Sequence, residues 1–174
     1  MSDADALPDA GASGSGPAFE GFMRLIAALR APGGCPWDRE QTHESLAKHL
    51  IEEAYETVHA IRAGSSADLA DELGDVLLQV ALHAEIGRES GAFSIDDVIA
   101  GIDAKIRRRH PHVFGEAVAE TPEQVMANWD EIKRGEKAES APVETTAAQA
   151  DAATRPGVLS GVTPALPALM YAQK

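Results

Sequence analysis

One cysteine, few aromatic residues and a shortage of cations set the first limits on this sequence. The lone thiol, Cys35, excludes any disulfide within the chain, which fits a reducing cytoplasm. Aromatic residues make up only 5% of the chain, and its abundant alanine favours helices over a sandwich or barrel. Lysine and arginine number 15 against 28 acidic residues, a formal net charge of −13. That balance argues against a general nucleic-acid or anionic-membrane binder, since both want a basic face. It suits a protein that binds cations, or anions through cations. No run approaches the ~18–20 consecutive apolar residues of a spanning helix. Residues 1–17 carry neither the basic start nor the apolar stretch of a signal peptide. The 174 residues leave room for one domain with a proper core.

What is present reads as helix. Residues 1–17 are mostly Gly, Ser, Ala, Asp and Pro, which bury too little apolar surface to offset ordering entropy, so a disordered segment is expected there. A helical domain is expected over 18–137, and a linker with a C-terminal stub over 138–174. Phe19, Phe22, Met23, Ile26 and Leu29 recur at helical spacing until Pro32-Gly33-Gly34. Cys35-Pro36-Trp37-Asp38 then makes a tight connection. Thr42 is a fitting N-cap for a helix to about Ala63, with Ala47, Leu50, Ile51, Ala54, Val58 and Ile61 as its apolar stripe. The short break Gly64-Ser65-Ser66 makes the next helix, about Ala67 to Arg88, an antiparallel neighbour. Ser94 caps a further helix with Ile95, Val98, Ile99, Ile102 and Ile106 on one face and Asp96-Asp97 in its first turn. Thr121-Pro122 opens the last, with Val125, Met126, Trp129 and Ile132 on one side. The fold class is therefore all-α, an antiparallel bundle of about four to five helices.

Two stretches of these helices carry the chemistry. In the first, Glu52, Glu53 and Glu56 lie off the apolar stripe, as surface glutamates would. The second is apolar almost all round: Leu69, Ala70, Leu73, Val76, Leu77, Leu78, Val80, Ala81 and Leu82. Such a helix should be buried, within the subunit or against a second copy, so a homodimer is expected. Its one polar stripe is Glu72, Asp75, Gln79 and His83. Carboxylates with little access to water need a cationic partner, a raised pKa or a metal ion. Between residues 41 and 104 the cations are only Lys48, Arg62 and Arg88. Oxygen ligands without cysteine point to a hard ion, Mg²⁺ or Mn²⁺, with positions left for water and phosphate oxygens. A solvated acidic face is the bland alternative. A di-metal oxidase is a further one, on Glu56-x-x-His59, but no second Glu-x-x-His follows.

The counter-charge is concentrated in Lys105-Ile106-Arg107-Arg108-Arg109-His110-Pro111-His112. Compensation of a helix dipole needs fewer cations than this, and a nucleic-acid patch would interleave aromatics. Arginine forks beside a metal–carboxylate site suit a nucleoside di- or triphosphate. Trp129 and Trp37 are candidates to stack on its base, with core packing the stronger expectation for Trp37.

Gly34-Cys35-Pro36-Trp37-Asp38, Glu52-Glu53-x-x-Glu56, Glu72-x-x-Asp75 and Arg108-Arg109-His110-Pro111-His112-Val113-Phe114 together resemble the MazG-type nucleoside triphosphate pyrophosphohydrolases, as does Trp129-x-x-x-Lys133. The resemblance implies an all-α, Mg²⁺-dependent, dimeric, cytoplasmic enzyme that cuts between the α- and β-phosphates of nucleoside triphosphates. Carried over by position, it implies that Glu53, Glu56, Glu72 and Asp75 ligate the metal. Glu52 would hold a further ion or the attacking water, making Glu52 and Glu53 the catalytic pair. Lys105, Arg108, Arg109 and Lys133 would contact phosphates, and Trp129 the nucleoside. His49 departs from the aromatic residue such proteins often carry there. Residues 166–174 look like the lead-in to a second, similar domain. A nucleotide-binding regulatory module with weak catalysis is the alternative function.

Overall fold

The computed structural model describes residues 15–139, and among these every regular element is helical. Residues 1–14 and, from residue 140, the expected linker and stub lie outside the described residues. The chain divides into two units at Gly135; of the second only residues 136–139 are described.

Among the described residues seven helices stand where four to five were expected, because two connections are themselves short helices. Helix α1 (Ser15–Arg30) starts inside the segment expected to be disordered. Its first turn holds Ser15, Gly16 and Pro17, where the missing Pro17 N–H would have had no intrahelical acceptor. Helix α2 (Pro36–Glu40) is the expected tight connection, wound into a helix with Pro36 at its first position. Gly34 lets the chain turn into it. A Cβ there would lie 2.3–2.4 Å from the carbonyl oxygens of Leu29 and Ala28, so only glycine fits.

Local caps set the longer helices. For α3 (His43–Ala63), the Ser45 N–H donates to Thr42 Oγ1 at 3.2 Å and the Thr42 N–H to Ser45 Oγ at 2.9 Å. Gly64, at φ +75°, closes its C-terminus in the left-handed region. Ser65 caps α4 (Ser66–Ser90). Ser94 and Asp97 form the reciprocal box of α5 (Ile95–Arg109), and their hydrogen bonds hold the Asp97 carboxyl below its usual range. Helices α6 (Pro111–Phe114) and α7 (Pro122–Glu139) follow.

Helices α3 and α4 pack along their length as an antiparallel hairpin, and α1 lies against α4. The core sits at one end, where Ile26, Leu46, Ala81 and Leu82 are buried among Phe22, Met23, Leu29, Leu78 and Ile86. Arg30, at the end of α1, ties three elements together. Its guanidinium donates to both carboxylate oxygens of Glu89 on α4, at 2.8 and 3.0 Å, and to the backbone carbonyls of Asp38 and Gln41.

The hairpin faces the opposite way from its hydropathy. On α3 the residues turned toward the rest of the subunit are Leu46, His49, Glu53, Thr57 and Ala60, at spacings of three and four. The expected core stripe, Leu50, Ile51, Val58 and Ile61, is exposed. On α4 the polar stripe of Glu72, Asp75, Gln79 and His83 is the more covered one, whereas Leu73 is 52% exposed and Leu77 and Val80 are open beside it. Val98, Ile99, Ile102 and Ile106 of α5 are exposed as well. Single apolar residues at a surface need no explanation, but α3, α4 and α5 each leave several of them exposed.

Candidate active site

Antiparallel packing brings the second half of α3 against the first half of α4, and with it two sets of carboxylates. Glu53, Glu56 and Glu72 each place an oxygen within 4.8 Å of the others. Asp75 stands outside that trio, yet it is the charge that acts most strongly on Glu53. Glu52 points elsewhere: its Oε2 lies 3.0 Å from His49 Nδ1, one turn back on α3. His59, the imidazole of the oxidase alternative, has no place in the trio.

These carboxylates are strained electrostatically. Partial burial lifts the Glu53 pKa, and Asp75, Glu56, Glu72 and Glu52 lift it further, in that order. Glu72 is raised by desolvation, then by Glu56 and Asp75 with smaller help from Asp71 and Asp68. Among the described residues, the charged groups that raise the pKa of Glu53 and Glu72 are all acidic. Glu72 Oε2 is buried and has no hydrogen-bond partner among the described residues, a state that native proteins seldom leave unresolved. The expectation of a site with little water is corrected in degree: Glu53, Glu72 and Asp75 are half-buried, and Glu56 is exposed.

The donor set fits a hard divalent cation. It is all oxygen, carries several negative charges, and includes Glu72, one of whose oxygens is buried with no hydrogen-bond partner among the described residues. Glu53, Glu56 and Glu72 would hold such an ion, with Asp75 beside them.

The basic residues come from other elements. Lys105, Arg108 and Arg109 end α5, and Trp129 and Lys133 lie on α7. The Arg109 guanidinium lies 5.9 Å from the Trp129 ring centre, and the His110 ring 5.6 Å from it, so these residues form one cluster. Arg107 pairs with Asp103 at 2.9 Å and lies over Phe114.

Three features escaped the sequence. Trp37, expected to pack in the core, is 53% exposed and borders a cavity of about 600 Å³ with Lys48 and His49. The His49–Glu52 contact was visible in principle as an i, i+3 pair. His43 and His83 also meet, Nδ1 to Nδ1 at 2.8 Å, with desolvation and then His43 lowering the His83 pKa.

Residues 41–114 match the family described as the MazG nucleotide pyrophosphohydrolase domain. The chain is similar to the nucleoside triphosphate pyrophosphohydrolase/pyrophosphatase MazG of Thermotoga maritima, 50% identical over 123 residues, which are 71% of this chain and 47% of that protein. It is 40% identical over 154 residues to the nucleoside triphosphate pyrophosphohydrolase of Escherichia coli K12, covering 88% of this chain and 54% of the other. It is also 52% identical over 119 residues to the protein YabN of Bacillus subtilis, covering 68% and 24%. The chain thus spans about half or less of the length of these curated relatives. A crystal structure of a mazG-related protein from Thermotoga maritima superposes with a TM-score of 0.56 at 28% identity, over 66% of this chain and 98% of that one.

Proposed function

We propose that this chain, whose residues 41–114 make up a MazG nucleotide pyrophosphohydrolase domain, hydrolyses nucleoside triphosphates between the α- and β-phosphates, giving a nucleoside monophosphate and pyrophosphate. The observation that carries the reading is the convergence of Glu53, Glu56 and Glu72 from two helices onto one point, with acidic neighbours raising the pKa of Glu53 and of Glu72. Such a cluster is stable only with bound protons or bound metal, and at neutral pH a divalent ion is the natural complement.

Magnesium held there by Glu53, Glu56, Glu72 and Asp75 would neutralise phosphate charge and polarise the α-phosphate. Glu52 would take the proton of the attacking water once its carboxylate turns from His49 toward the trio. The water oxygen forms a bond to the α-phosphorus as the bond from that phosphorus to the α–β bridging oxygen breaks, and pyrophosphate leaves. Lys105, Arg108, Arg109 and Lys133 bind the phosphate oxygens, and Trp129 lines the nucleoside side.

The test is pyrophosphate release from a panel of nucleoside triphosphates. Release should require Mg²⁺ or Mn²⁺ and stop on chelation with EDTA. Metal-dependent nucleotide binding with no turnover would replace the enzyme by the regulatory module.

A homodimer completes the reading. The exposed stripes of α3, α4 and α5 are better covered by a second copy than by water, and obligate dimer faces are apolar in this way. Sedimentation should give about twice the 18.3 kDa of one chain; a monomer at micromolar concentration would rule this assembly out. No helix among the described residues is long and apolar enough to cross a membrane.

A further inference from the structure

The imidazoles of His43, the first residue of α3, and His83, in the second half of α4, face each other Nδ1 to Nδ1 at 2.8 Å. Their planes are within 3° of parallel and their centres 5.1 Å apart. That separation is the nitrogen contact plus one ring radius at each end, so the rings meet edge to edge in a common plane. The contact is therefore an N–H···N hydrogen bond and not a stack. We propose that this pair is a proton-operated latch that fastens the start of α3 to α4, closed while both rings are neutral and opened by the first proton.

A count of protons is the first argument. An N–H···N bond needs one bare Nδ1 and one protonated Nδ1. His83 Nε2 is buried with no hydrogen-bond partner among the described residues. Gln79 Oε1, one turn back on α4, is buried without a partner as well, so the two atoms do not pair. A hydrogen on that Nε2 would be a buried donor lacking an acceptor, which the neutral pair avoids by keeping His83 protonated at Nδ1. His83 then donates, and the exposed His43 carries its hydrogen on Nε2. With one proton added, every arrangement that keeps the bond puts a hydrogen on His83 Nε2. Either His83 is the imidazolium, or His43 is and His83 must present a bare Nδ1 to it. With two protons added both Nδ1 atoms are donors and the bond is lost. Burial and then His43 lower the His83 pKa, in the same direction.

The surroundings of the pair are the second argument. Phe93, in the α4–α5 connection, lies against His43 at 5.9 Å and 21°. Its ring fills the space over Gly87, where a Cβ would lie 2.8 Å from it. Two helices and a connection thus meet at these rings. The charged groups of the elements packed here have partners elsewhere: Glu20 with Arg24 on α1, Arg30 with Glu89, Glu85 with Arg88 on α4, and Asp97 with Ser94 at the start of α5. Glu44, next to His43, lines the cavity beside Trp37, and Asp75 is two turns back on the α4 stripe. Among the described residues, the charge that shifts the His83 pKa is His43, and it lowers it. A metal ion does not fit in the proton's place. Two ligand bonds of about 2.0–2.1 Å end to end exceed the 2.8 Å gap by more than an ångström, and among the described residues no third metal-binding side chain joins the two rings.

The experiment is an NMR titration of the full chain between about pH 7.5 and 5.5, with amide exchange measured alongside. At the upper end the imidazole nitrogen shifts should show His83 protonated at Nδ1 and His43 at Nε2. The Leu46 amide, bonded to the Thr42 carbonyl at 3.1 Å in the first turn of α3, reports the latch. A ring whose pKa is lowered in the closed form contributes stability above its ordinary 6.5 and loses it as pH falls. Corrected for intrinsic rates, protection of Leu46 should therefore fall about tenfold across the titration, the effect of one proton taken up by the open form alone. His83→Gln should hold protection at the low, acid value throughout. If His83→Gln fails to fold, His43→Phe, which changes an exposed ring and keeps the contact with Phe93, should do the same. Wild-type protection that is equal at both ends would overturn the latch. So would His83 protonated at Nε2 at neutral pH, or a pH dependence that survives in the variant.

Discussion

A Glu53→Gln protein is expected to release pyrophosphate at least about 100-fold more slowly than the wild type, yet to melt about 2–4 °C higher when both are free of metal at neutral pH. The two effects have one cause. Burial and then Asp75, Glu56, Glu72 and Glu52 raise the Glu53 pKa. A carboxylate raised in the folded state binds more protons folded than unfolded. Its contribution to stability is complete below the ordinary value of 4.5 and falls as pH climbs through the raised one. At neutral pH the empty site is therefore a liability, and glutamine, of nearly the same shape, removes it. Metal reverses the order: an ion at 100 times its Kd stabilises the wild type by about 2.7 kcal/mol, and the variant by less. Melting curves with and without Mg²⁺ at pH 5 and pH 7.5, beside a pyrophosphate assay, check all three points. A surface glutamate with no ligand role would leave activity and both melting temperatures unmoved.

The helices and their ends were legible because capping is local. Thr42 with Ser45, Gly64, Ser94 with Asp97, and Thr121-Pro122 each act within a few residues. The facing of the helices was not legible. A helical wheel assigns the apolar stripe to the interior, which holds when one subunit supplies the whole interior. On α3 the stripe of Leu50, Ile51, Val58 and Ile61 lies outward, and Glu53 turns inward with Leu46 and Ala60. The inverted hairpin makes physical sense for a site: its polar seam collects the carboxylates, and its apolar flanks stay exposed on this chain. The α4 stripe did point to Glu72 and Asp75 facing α3. It could not show that Asp75 would stand beside the trio and not within it, since one turn of register across a helix pair is beyond periodicity. Trp37 was read by residue type as core; its exposure follows from α2 being one short turn that cannot bury both sides.

Removing Arg30 should be the most damaging single change outside the hydrophobic core, and it carries no catalytic role. Its side chain is 5% exposed and its guanidinium donates to Glu89 of α4, to the carbonyl of Asp38 in α2 and to that of Gln41 in the α2–α3 connection. These partners lie 8 to 59 residues away in the chain, so no sequence window reveals them. Arg30→Met keeps the length and loses every donor. The Gln41 carbonyl then loses this donor, the Asp38 carbonyl keeps the Gln41 N–H at 3.2 Å, and Glu89 loses its bidentate partner. Because Glu89 is 37% exposed and can turn to water, the cost is below that of breaking a fully buried pair, about 2–4 kcal/mol, which lowers the melting temperature by about 10 °C. The pH dependence has a sign as well. The hydrogen bond from Arg30 holds the Glu89 carboxyl below its ordinary 4.5, a shift only partly offset by desolvation. The pair therefore stabilises the wild type above pH 4.5, and that contribution disappears as pH falls through the lowered value. Arg30→Met should lose stability least at acid pH, so the two melting curves should converge as pH drops below about 4.5. Pyrophosphate release at a temperature where both proteins are folded should be changed less than by Glu53→Gln. Equal melting temperatures at neutral pH would show that α2 is held by something other than this arginine.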